Sequence, residues 1–183
     1  LNEWVKSPKL TAPFAPKGAE QAEKQTPVKK TVSTGTKPES ENLSDINLSK
    51  ITEYYHKRLF KNTKTLEYLK TRGLENPELI SQYQIGFSDG TINEKLSEKQ
   101  IEKLKSSGVF SEKGSEHFKN CITFPIFDEV NQVVGIYGRN INQKSKVPHL
   151  YLKGKHRSVF NRKTSKVYDE MILAESIIDS LSL

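Results

Sequence analysis

Two carboxylates near the end of the sequence, Glu175 and Asp179, stand four residues apart. On a helix that spacing turns both side chains to one side, and paired carboxylates offer the hard oxygen ligands that Mg²⁺ prefers. A metal held in this way neutralises the oxygens that attack and leave in phosphoryl transfer. By itself an E-x-x-x-D pair is more often a complement to the positive end of a helix. A second set of residues gives it context. From Val130 to Tyr168 there are nine Lys or Arg, with His149 and His156, and no Asp or Glu. Tyr137, Tyr151 and Phe160 are interleaved with them, which is the composition of a groove that tracks phosphates and stacks bases. An ordinary solvated surface mixes both signs, whereas this block makes a field that attracts polyanions. It also accounts for the formal net charge of +7, because the rest of the chain comes close to balance. The competing reading is a basic, solvated hairpin without a ligand, or one that meets an anionic protein.

These residues need a scaffold, and the chain supplies one only in part of its length. Residues 1–43 carry Pro8, Pro13, Pro16, Pro27 and Pro38 among scattered Lys, Thr, Ser and Gly, which breaks every periodic pattern. That stretch reads as a disordered linker. Periodicity begins near Ser44, where Ile46, Leu48, Ile51, Tyr54, Tyr55 and Leu59 recur at helical steps. A second helix carries Leu66 and Leu69, with Gly73 placed as its left-handed stop. Asn76-Pro77-Glu78 opens a third, running to about Tyr83. Ser97-Glu98 opens a fourth, which Gly108 ends. Cys121–Phe127 (CITFPIF) and Val133–Tyr137 (VVGIY) then read as a hairpin around a polar turn. Pro125 lacks a backbone donor, so its strand is expected at an edge or interrupted there. Met171–Ala174 is short and wholly apolar, the pattern of a buried strand, with Glu175 at its end and a helix through Ile177, Ile178 and Leu181 behind it. At the carboxyl end of a parallel strand, Glu175 and Asp179 would face the crevice where α/β sheets bind ligands. A lone cysteine, Cys121, excludes an internal disulfide and a zinc cage and fits a reducing compartment. No apolar run approaches the roughly 20 residues of a membrane span.

The order YLKTRGL, YQIGFSDG, FPIFDEVNQVVGIYGRNI, HLYL, VFNR and MILAESIIDSLSL resembles the catalytic core of bacterial DnaG-type primases over roughly residues 50–183. The form ESIID is closer to relatives on plasmids, phages and other mobile elements. The resemblance implies an α+β fold: the core's amino-terminal subdomain, helices and then a small antiparallel sheet, leading into the first strand and helix of an α/β Toprim domain. Its boundaries would be 1–43 for a linker after a missing zinc-binding module, 44–168 for the template-binding subdomain, and 169–183 for the start of a truncated Toprim domain. It implies a fragment of a DNA-directed RNA polymerase that makes short RNA primers on single-stranded DNA in the bacterial cytoplasm. Nucleoside triphosphates, the RNA primer and a replicative helicase are the other partners, and no membrane is. Arg139, closing GIYGRN, matches the arginine of the basic template groove. Arg162 in VFNR stands near a second basic position, and Lys153, Lys155 and Arg157 are its neighbours in the groove. Tyr151 matches the family's YL segment, although Leu150 stands where a lysine is usual and His149 lies one place earlier. Glu175 matches the Toprim glutamate, ligand or general base with Mg or Mn, and Asp179 the acid that follows it. Ser176 replaces the usual glycine. Zinc is expected only in the missing upstream module, and this chain alone is expected to be inactive. Two rivals are a non-catalytic single-strand-binding module and another Toprim enzyme, such as a nuclease or topoisomerase relative.

Overall fold

The computed structural model describes residues 47–142, 144–154 and 159–183. The expected linker at 1–43, and the candidates Lys155 and Arg157, lie outside the described residues.

Each helix begins where a side chain takes up the free backbone donors of its first turn. In α1 (Leu48–Leu59) Asn47 accepts from the Lys50 backbone N at 3.0 Å, and Ile51, Tyr55 and Leu59 are buried at the expected steps. In α2 (Thr63–Thr71) Asn62 accepts from the Thr65 N. Gly73 takes φ +74°, the Gly73 N–H donates to the Lys70 carbonyl and the Leu74 N–H to the Leu69 carbonyl. That bond pair is the Schellman stop, and a glycine supplies its left-handed residue without strain. Asn76 caps α3 (Pro77–Gln82), with Pro77 at the first position. The same stop recurs there without a glycine: Gln84 has φ 47°, with Gln84 N to Ser81 O and Ile85 N to Ile80 O. In α4 (Glu98–Ser106) the Gln100 side chain accepts from the Ser97 N at 2.9 Å, and Gly108 follows at φ +80°.

Four strands form one antiparallel sheet in chain order: β1 (Gly86–Ser88), β2 (Cys121–Phe127), β3 (Val133–Asn140) and β4 (His149–Tyr151). The β2–β3 hairpin was expected, with β3 three residues longer than its apolar run. Its turn is closed by Asp128 Oδ1, which accepts from the Val130 and Gln132 N–H groups. β1, β4 and two short 3-10 segments, Ile92–Lys95 and Arg162–Lys166, were not expected. The edge expected at Pro125 is local and does not extend along the whole strand. β2 is an inner strand and runs through Pro125, which sits opposite Ile136. β1 covers only Cys121 to Thr123, so Pro125 has no neighbour on that flank and its missing donor leaves no gap in the β1–β2 ladder.

One face of the sheet places Phe87, Ile122, Phe124 and Tyr137 in a core with Leu69, Leu74 and Ile80 of the α2–α3 region. α5 (Ile177–Ser182) docks on this same core through Ile178 and Leu181. Against the other face lies α1. A Cβ at Gly86 would sit 2.7 Å from the Tyr55 carbonyl carbon, so only glycine lets the α1 backbone approach β1 this closely. The buried strand expected at Met171–Ala174 does not form. Among the described residues no strand pairs with it, and Ile172 and Leu173 are 78% and 89% exposed. A strand without a ladder leaves its N–H and C=O groups to water, and hydrophobicity alone does not supply the partner.

An acidic side chain is buried among polar neighbours in the core. Glu116 is 7% exposed and accepts a short hydrogen bond from Ser88 Oγ, beside buried Tyr55 and Thr123. The Tyr55 hydroxyl, Glu116 Oε2 and Thr123 Oγ1 make no aligned hydrogen bond. Burial raises the Glu116 carboxyl above its ordinary value against the pull of Ser88 and Tyr55, with Asp89 adding to the rise. Burial and then the Glu116 charge push the Cys121 thiol up to about 12, so this cysteine is not a nucleophile.

Candidate nucleic-acid interface

Strand register assembles the site. Arg139 lies opposite His149, and Tyr137 opposite Tyr151. Side chains alternate along a strand, so these four share one face, the face that carries Ile122 and Phe124 further in. Tyr137 is buried by the core, whereas Tyr151 is 46% exposed with its ring centroid 5.1 Å from that of Tyr137. His149 stacks on Tyr137 at 6.0 Å. Arg139 Nη1 lies 2.6 Å from His149 Nε2, and Arg139 Nε donates to the Tyr68 hydroxyl of α2 at 3.3 Å. On its other nitrogen His149 Nδ1 meets the Tyr137 hydroxyl at 2.8 Å. Burial pushes the Tyr137 hydroxyl up to about 12; Arg139 opposes this, and Tyr151, Tyr68 and Asp179 add to it. Tyr137 therefore stays protonated at neutral pH. The arrangement presents a cation framed by aromatic rings, which suits an anionic, stackable polymer.

The remaining candidates are dispersed. Lys153 follows β4, and its backbone runs beside Gly108 at the end of α4: a Cβ there would lie 3.0 Å from the Lys153 N. Arg162, Lys163 and Lys166 lie by the β2–β3 turn at the other end of β3 from Arg139. Lys166 pairs with Glu129 at 2.7 Å and holds its carboxyl below the ordinary value, with a smaller pull from the Arg162 charge, and Lys163 donates to Asn131. The acid-free block in sequence is thus not acid-free in space, because Glu129 precedes it by one residue and folds back on it. Arg139 and Tyr151 are brought together, Lys153 lines a cavity with Tyr151, and Arg162 is not placed with them.

Glu175 is exposed and precedes the helix. Ser176 is the N-cap of α5; its Oγ accepts from the Asp179 N–H at 3.1 Å and donates to Asp179 Oδ2 at 2.7 Å. The helix begins behind Glu175, as expected, so the two acids flank its start, with Glu175 before the cap and Asp179 in the first turn. Among the described residues no three His, Cys, Asp or Glu side chains are grouped to hold a metal ion. Sequence reasoning did not find Tyr68 or the His149 bond to Arg139; the signal was confined to a tyrosine in an otherwise ordinary helix and a histidine next to a short YL segment. No helix among the described residues is long and apolar enough to cross a membrane.

The family of the DNA primase catalytic core, N-terminal domain, matches residues 54–171. A DNA primase of Legionella pneumophila is 29% identical over 170 residues, 82% of this chain and 29% of that protein. A DNA primase of Buchnera aphidicola subsp. Baizongia pistaciae is 25% identical over 153 residues, 73% of this chain and 26% of that protein. The chain thus spans less than a third of the length of these relatives. Among solved structures, a DnaG primase catalytic domain bound to ssDNA superposes with a TM-score of 0.51 at 24% identity, over 58% of this chain and 37% of that one. A DNA primase domain from Pseudomonas aeruginosa gives the same values. At these identities the likeness is one of fold.

Proposed function

This chain belongs to the family of the DNA primase catalytic core, N-terminal domain, and from that premise we propose that it is the template-holding part of a primase, a DNA-directed RNA polymerase that makes short primers on single-stranded DNA. The observation that carries this reading is the face of Arg139 and Tyr151, where a guanidinium held by two partners stands beside a half-exposed aromatic ring. Arg139 would take a phosphate and Tyr151 a base, which binds a strand without reading its sequence. Residues 44–168 would form the template-binding subdomain and 169–183 the first part of a Toprim domain. Glu175 and Asp179 would then be two members of a larger ligand set for Mg or Mn, with nucleoside triphosphates, the primer and a helicase as further partners.

Binding of the chain to labelled single-stranded DNA, followed by fluorescence anisotropy across a salt series, tests the reading. Each phosphate contact on a single strand contributes about 0.7 to the slope of log K against log salt. Arg139→Ala should lower affinity and reduce the slope by about that amount, while Lys24→Ala should change neither. Equal losses at both positions, or none at Arg139, would refute the interface.

A further inference from the structure

Arg139 reaches His149 Nε2 through its own N–H, and a guanidinium has donors only. His149 Nε2 must therefore be the acceptor, which puts the ring proton on Nδ1. That proton points at the Tyr137 hydroxyl, 2.8 Å away, and the Tyr137 oxygen accepts it. The Tyr68 hydroxyl accepts from Arg139 Nε on the other side. The donors and acceptors run in one direction, from His149 Nδ1–H into Tyr137 and from Arg139 into His149. Turning the ring over, or adding a second proton, would set an N–H against the guanidinium. Tyr137 is anchored in the core and its ring stacks on His149, so the chain of bonds begins at a fixed point.

We propose that His149, as the neutral Nδ1–H tautomer, is a positioning residue that aims Arg139 at the nucleic acid, acting through Arg139 and making no phosphate contact of its own. This rests on the reading of the face as an interface. It explains how an arginine on a sheet surface is kept from sampling its many rotamers before a strand arrives; an ordered donor loses less freedom on binding.

Two measurements on the 183-residue chain separate this inference from the interface reading. The first uses ¹⁵N-labelled histidine and long-range proton–nitrogen correlations, with His149→Gln to assign the ring. The neutral Nδ1–H pattern is expected, changing toward a mixture of tautomers in Arg139→Ala. An Nε2–H or doubly protonated ring in the unmodified chain at neutral pH would overturn the proposal. The second is DNA affinity in a double-mutant cycle. His149→Phe keeps the ring and removes the acceptor, and should weaken binding about 3- to 10-fold, the effect of one ordinary hydrogen bond. His149→Gln returns an acceptor near the same place and should recover most of the loss. In the Arg139→Ala background His149→Phe should cost nothing further; an undiminished second loss would show His149 acting on the strand directly and overturn the proposal. If Arg139→Ala itself leaves affinity unchanged, the interface reading fails alone, and the nitrogen pattern still decides whether His149 holds Arg139. Both residues lie at the surface, and equal melting temperatures would show that the variants fold.

Discussion

Glu116→Gln tests the account of the core because it mimics one protonation state of a buried acid. Burial raises the folded-state carboxyl, and in the unfolded chain it returns to about 4.3. Below that ordinary value both states hold the proton, and the native contribution is fully present. As pH rises through the window between the two values the unfolded chain gives up its proton first, so native stability falls until the folded-state value has been passed. Gln keeps the size, accepts from Ser88 through Oε1 and offers an N–H toward the Tyr55 oxygen where the protonated acid offers its O–H. It does not titrate. The stability difference, Gln minus Glu, should therefore be small at about pH 4 and rise in favour of Gln by at most about 1.4 kcal/mol per pH unit, then level off. Urea unfolding of both proteins between about pH 4 and about pH 8 measures it, and the difference cancels titrations that do not touch Glu116, such as that of Glu129. A flat difference, or one that falls with pH, would refute the assignment of Glu116 as an acid disfavoured by burial.

Two further outcomes follow from backbone geometry. Gly86→Ala places a methyl 2.7 Å from the Tyr55 carbonyl carbon and 2.8 Å from the His56 N, both main-chain atoms that cannot turn aside; thermal unfolding should show a loss of about 1–3 kcal/mol or more. Gln84→Gly relieves a side chain held at φ 47°, a conformation that costs a non-glycine residue about 1–2 kcal/mol, partly offset by the greater freedom of glycine in the unfolded chain. A net gain of about 0.5–1 kcal/mol in urea unfolding is expected, and a loss would mean that the Gln84 side chain has a stabilising role.

The parts of the fold that are local in sequence are the parts that could be read there. Asn76-Pro77 and Ser97-Glu98 announce helices because cap, first residue and stop lie within a few positions of one another. β1 and β4 are three residues each, too short for any period, and they exist because β2 and β3 offer edges to them. Met171–Ala174 is the converse, a run with the composition of a strand and, among the described residues, no strand to pair with. In the candidate site, a family motif pointed to Arg139 and Tyr151, but the partners that hold Arg139 could not be read from it. Tyr68 precedes Arg139 by 71 residues, and the His149 contact depends on β3–β4 register rather than on spacing. The charge block misled in one respect for the same reason: Glu129 and Lys166 meet only because the segment after β4 returns to the hairpin turn.

The exposed run Met171–Ala174 also bears on the behaviour of the protein at high concentration. Four consecutive apolar residues without a ladder approach the length of about five to seven residues at which segments stack with copies of themselves. Here Asp169 and Glu170 stand immediately before the run and Glu175 immediately after it. In-register stacking would bring like carboxylates together at strand spacing, at both ends of every copy, so the acids act as gatekeepers against self-assembly at neutral pH. Acidification would remove that repulsion. The acids that flank the run are therefore placed to oppose in-register stacking for as long as they are charged.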